Sequence, residues 1–172
     1  MKILLSLVCA LALTGCASSG GKLRSYTISG GRVVQLPVAP GGALPTENAD
    51  VKIEVTGFMV DSKEASLTYA FGFTSKTKVA PKKVSVHDVT GPYPVLIVSD
   101  MTPVLDANGY WKGSSSPRKA GDQSLDWLLI GGNTEKVFEF TITTADGRTL
   151  VMHQASIWSA QAKPIIRERL KL

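Results

Sequence analysis

The side chains able to do acid–base or ligand chemistry are few and widely spaced. The chain has two histidines, His87 and His153. Asp88 follows His87, and a carboxylate that orients an imidazole is one way to build a general base. Neighbours along a strand point to opposite faces. With Val84 and Val86 facing inward, His87 points outward and Asp88 points inward or caps the strand end. The pair therefore reads as a surface histidine and a turn-capping aspartate. His153 shares a face with Val151 and Ala155. A metal site would need it beside His87 and carboxylates such as Asp88 or Asp126, and no His-x-x-x-His or similar spacing occurs. Serines abound, but there is no Gly-x-Ser-x-Gly elbow, and Ser114, Ser115 and Ser116 fall in a polar loop that positions nucleophiles poorly. Paired carboxylates for sugar cleavage are equally unmarked. No catalytic residue, metal ligand or cofactor is assigned, and the chain reads as a non-enzyme.

Binding has more to work with. Tyr110 and Trp111 adjoin the polar stretch 112–121, which carries Lys112, Arg118 and Lys119. Aromatic surface for stacking beside cations for anions would make a binding rim. The alternative is that alternate aromatics fill the core and the loop is simply solvated. At the other end, Lys163, Arg167, Arg169 and Lys171 mix with Ile165, Ile166, Leu170 and Leu172. Such a segment can meet anionic headgroups at about 1 kcal/mol per basic residue near the surface, or it can be a solvated helix face.

The start of the chain carries a more specific signal. Met1-Lys2 is basic, residues 3–13 are almost wholly apolar, and small residues follow. That is the layout of a secretory leader. The apolar run is roughly half of the ~20 residues that a membrane-crossing helix needs. Leu13-Thr14-Gly15-Cys16 resembles the lipobox of bacterial lipoproteins, a resemblance that covers about the first twenty residues. It implies cleavage before Cys16, a diacylglycerol on the Cys16 sulfur and an acylated new N-terminus. One chain anchors marginally at ~0.8 kcal/mol per buried methylene, and several anchor firmly. Ala17 and Ser18 replace the aspartate that retains such proteins at the inner membrane. The resemblance therefore implies a lipid-anchored cell-envelope protein, sorted to the outer membrane if the host is Gram-negative.

Loss of residues 1–15 would leave 157 of the 172 residues, enough for one domain with a sizeable core. The leader's one charge is Lys2, so 18 basic residues would remain against 14 acidic. This mild excess lies partly in the tail and does not point to nucleic acid. Cys9 would leave with the leader and Cys16 would carry lipid, so the domain would hold no free thiol and no disulfide. Thiolate metal sites, iron–sulfur clusters and cysteine nucleophiles are excluded on that reading, and stability must come from packing.

The elements that must position these groups are strands. Residues 16–31, with Ser18-Ser19-Gly20-Gly21 and Ser29-Gly30-Gly31, read as a lipidated cysteine and flexible tether. A single domain over 32–172 follows. Residues 32–38 read as a first strand, with Pro37 pointing to an edge or terminal position. Val51, Ile53 and Val55 alternate inward, Gly57 marks a bulge, and Phe58 and Val60 continue. Asp61-Ser62-Lys63-Glu64 turns the chain. Ala65, Leu67, Tyr69, Phe71 and Phe73 then share one face, each large side chain bringing ~1.5–3 kcal/mol on burial. Residues 95–99 read as a continuous buried strand, and residues 125–130 are apolar but ambiguous in type. Phe138, Phe140 and Ile142 point inward, with Lys136, Glu139, Thr141 and Thr143 mostly outward. Asp146-Gly147 joins that strand to an antiparallel return over 150–158. Pro164 stands where a short basic helix could begin, and an extended tail fits nearly as well. Eight or nine strands with turns about every ten residues predict an all-β fold, an antiparallel β-sandwich of immunoglobulin-like form with a short C-terminal helix or tail. The tryptophan-on-disulfide marker of antibody domains is missing.

Architecture of this kind implies no activity. The expected role is a lipid-anchored envelope protein that binds another envelope protein or supports an assembly, with edge strands for pairing. The alternative is a small-ligand or metal-binding lipoprotein that uses His87 and His153 or the aromatic rim.

Overall fold

The computed structural model describes residues 21–40, 42–77, 80–119, 134–158 and 162–171. The described chain is mostly β: three antiparallel sheets and one short C-terminal helix. The first sheet joins β1 (Lys22–Ile28), β2 (Arg32–Ala39) and β3 (Gly42–Ala43) in that order. The second is built from β4 (Thr46–Glu47), β5 (Val51–Asp61), β6 (Ser66–Ser75), β9 (Tyr110–Ser114) and β10 (Arg118–Lys119), with β6 central and β5, β9 and β10 paired to it. The third runs β12-β11-β7-β8, from β7 (Pro81–Asp88), β8 (Val95–Met101), β11 (Thr134–Thr144) and β12 (Thr149–Trp158). Helix α1 spans Ala162–Leu170. No helix among the described residues is long and apolar enough to cross a membrane.

The core follows from two alternations that meet. Leu67, Tyr69, Phe71 and Phe73 project from β6, and Phe138, Phe140 and Ile142 from β11, all fully buried. The rings interlock edge to face: Phe71 and Phe138 have centroids 5.4 Å apart and Phe71 and Phe140 5.7 Å. Such pairs add ~0.5–1.5 kcal/mol beyond their burial. Val51 and Ile53 of β5, Val84 and Val86 of β7, and Ile166 and Leu170 of α1 complete this core. Gly57, at φ 140°, sits at the expected bulge, where the β5–β6 register shifts between Val55 and Gly57. The tail is a helix, and Ile166 and Leu170 dock it while Ile165 stays exposed.

The opposite face of the third sheet carries the first sheet. Ile28 and Leu36 pack on Val89, Val137 and Ala155 in a second cluster. Ser29, in the tight turn after β1, donates its backbone N–H to Val89 O at 2.9 Å, and its hydroxyl reaches Gly91 O at 2.7 Å. The molecule is thus layered: hairpin, third sheet, second sheet.

Several expectations are corrected. Residues 22–31 are not tether: β1 pairs with β2 along all seven of its residues, from Lys22↔Val38 to Ile28↔Arg32. β2 pairs with β1 along its length and with β3 only at Val38 and Ala39, so Pro37 does lie near the strand end, beside residues that β3 leaves unpaired. β8 is a sheet edge with Leu96 exposed, and only Ile97 and Val98 are fully buried. Lys136 lies two residues before Phe138, so the two-residue period puts it on the inward side, where it is buried. Residues 1–20, the apolar stretch 125–130 and the end of the polar loop at 120 and 121 lie outside the described residues.

Candidate functional site

Two places gather chemistry. The first is on the face of the third sheet that meets the hairpin. In the β7-β11-β12 register Glu139 stands opposite His87 on one side and His153 on the other. The two histidines, remote in sequence, thus flank one carboxylate. His153 Nε2 lies 2.9 Å from Glu139 Oε2, and Arg32, from the start of β2, donates to the same oxygen at 3.0 Å. Burial lowers the His153 pKa below its usual 6.5, against the pull of Glu139. Burial also pushes Glu139 up, but Arg32 and His153 together outweigh this and hold the carboxyl below its ordinary 4.5. His87 Nδ1 is buried and meets no hydrogen-bond partner among the described residues. No group of three or more His, Cys, Asp or Glu among the described residues is placed to hold a metal ion. The Glu139 carboxylate is instead spent on an imidazole and a guanidinium, and through Arg32 it fastens the hairpin to the sheet. Arg24 repeats the device further along the hairpin by pairing with Glu135.

Asp88 does cap its turn, and it does more. Its Oδ1 accepts from Thr90 N at 3.0 Å and from the Thr90 hydroxyl at 2.6 Å, while Oδ2 takes the buried Lys136 ammonium. Thr90 Oγ1 in turn accepts from Val137 N at 2.9 Å. The whole knot is hydrogen-bonded, as a buried charge pair requires.

The second place is a cleft of about 240 Å³ between the β5 bulge and the end of β12, with β3 beside it. Its walls are Gly42, Ala43, Val55, Thr56, Gly57, Phe58, Gln154, Ala155, Ser156 and Ile157. β12 is the last strand of its sheet, and β4 pairs only with Lys52 and Ile53 of β5. Two strand edges therefore line the cleft. Gln154 reaches across, its side-chain oxygen accepting from Val55 N at 3.0 Å.

The aromatic rim does not assemble as expected. Trp111 is buried in the main core and offers no stacking surface. Its indole lies over Gly113, where any β-carbon would collide with the ring. Tyr110 is half-buried, beside Gly72 and Glu54, and burial raises its pKa, with Glu54 adding to the effect. Lys112 is exposed on the outer face of the second sheet. Arg118 donates to Leu96 O at 2.7 Å and Ile97 O at 3.2 Å, joining β10 to β8. Lys119 pairs loosely with Glu64 at 3.5 Å, both exposed. These five residues thus part between core, sheet face and strand edge. Cys16 lies outside the described residues. Arg32, Glu139 and the cleft residues were not singled out from sequence, because cross-strand register places them and no local spacing marks it. Gly57 was the one signal, read as a bulge but not as the floor of a cleft.

No protein-family model, no curated protein and no solved structure matches this chain.

Proposed function

We propose that this protein is a non-enzymatic, lipid-anchored module of the bacterial envelope that binds a partner protein at the cleft between β5 and β12. The cleft's two strand edges carry the reading. An edge presents N–H and C=O groups in a row, and an extended segment of another chain can pair with them while its side chains enter apolar pockets. Val55, Phe58 and Ile157 supply apolar wall, and the glycine bulge keeps β5 from closing over it. The anchor rests on the lipobox-like Leu13-Thr14-Gly15-Cys16, and outer-membrane sorting rests on Ala17 and Ser18. Among the polar residues most suited to catalysis, Glu139 is bonded both to His153 and to Arg32, which supports a structural use for the pair.

We also read the two larger sheets as an immunoglobulin-like sandwich. The order β8-β7-β11-β12 corresponds to C′-C-F-G, and β5-β6-β9 to A-B-E. The β1–β2 hairpin is then an addition on the outer side of the C′CFG sheet.

A photo-crosslinking residue at Thr56, exposed at the mouth of the cleft, tests the binding role in intact cells. The expected result is a discrete adduct with one envelope protein, absent when the same probe replaces Lys112. No adduct at native expression, or equal adducts from both positions, would remove the cleft as the binding surface.

A further inference from the structure

We propose that the outward face of the β1–β2 hairpin lies on the bilayer that holds the Cys16 lipid; the proposal rests on the anchor reading above. The first argument is reach. Only residues 17–21 separate Cys16 from Lys22, where β1 begins. A chain spans at most ~3.3–3.6 Å per residue, so the strand starts within roughly 20 Å of the acylated sulfur however the linker runs. A fifteen-residue tether would have left the domain free to roam. The shorter link keeps this hairpin, one of the two outer layers, close to the membrane.

The second argument is the division of charge across the hairpin. Its inward face carries Arg24 and Arg32, both paired to glutamates of the third sheet, with Ile28 and Leu36 on the second cluster. The register puts Leu23, Ser25 and Thr27 on the other face, opposite Pro37, Gln35 and Val33. All six are uncharged. Leu23 and Val33 are 60% and 64% exposed, among the most open large apolar side chains of the described residues. Uncharged strand surface with protruding Leu and Val suits the boundary between headgroups and acyl chains, whereas the outer face of the second sheet sets Met59 among the charges of Lys52, Glu54 and Lys112.

The test uses the acylated full chain in vesicles of phosphatidylethanolamine and phosphatidylglycerol. Its mature form has no other thiol, so Leu23→Cys, Val33→Cys and Lys112→Cys can each carry one environment-sensitive fluorophore. The expected result is quenching by iodide at least ~3-fold weaker at positions 23 and 33 than at 112, with the difference lost on transfer to detergent. Equal quenching at all three positions, in material whose mass confirms an acylated Cys16, overturns the membrane-facing hairpin and leaves the anchor standing. Protection that persists in detergent shows cover by protein instead and also overturns it. A bare Cys16 in the mass spectrum overturns the anchor, and the hairpin proposal with it.

Discussion

At the scale of single residues, the molecule's stakes lie in two polar knots on opposite faces of one sheet. Lys136 and Asp88 are about 95% buried, and Asp88 is fully engaged by Thr90 as well. Removing one partner leaves the other as an uncompensated buried charge, which typically costs 3–5 kcal/mol. Lys136→Met should therefore lower the stability measured by urea unfolding by about that amount, and Lys136→Met with Asp88→Leu should recover part of it. Glu139 and His153 bring a pH dependence. Both are held below their ordinary values in the folded chain, so the unfolded chain binds more protons below those values. Stability is then present above pH 6.5, the usual histidine value, and falls as acid carries the pH down towards the depressed His153 value. A second loss begins below 4.5, where Glu139 takes its proton. Among the described residues, Glu139 and Arg32 act on that imidazole, and His87 stands one strand away across Glu139. His153→Gln should flatten the decline in urea midpoint between pH 7 and 5, and an unchanged slope would reject the assignment.

At the scale of elements, the short helix is the test case. Leu170 is 1% exposed and sits in the main core. Leu170→Ala should cost about 2–5 kcal/mol, read as a lower thermal midpoint. Loss well under this range would mean that α1 is only loosely docked. Strand β6 was legible because its apolar residues alternate without a break, and the β11–β12 hairpin because Asp146-Gly147 stands between two alternating runs. Strand β1 was not legible. Its inward positions include Arg24, whose partner is Glu135 on another strand, so hydrophobic alternation misses it, and the glycines at both ends mimic a linker. Lys136 departs from expectation for a related reason: its charge suggests solvent, while the two-residue period puts it in the interior. The His87–Glu139–His153 row was invisible because local sequence fixes a strand's faces but not which strand lies beside it.

At the scale of the whole molecule, location is the property most open to direct test. Cys16→Ser should prevent acylation and move the protein from the membrane fraction to a soluble or uncleaved form, followed by fractionation and mass spectrometry. Membrane partitioning that does not change would refute the anchor. The layered build also has a mechanical meaning. For a chain tied down at Cys16, any tug on a captured partner travels to the membrane through β1. Its junctions are one seven-residue ladder to β2, the Arg24–Glu135 link, the packing of Ile28 in the second cluster and the Ser29 clasp that follows it. On the anchored, partner-binding reading the first sheet stands between the anchor and the aromatic core in the line of force, so it would take the load first.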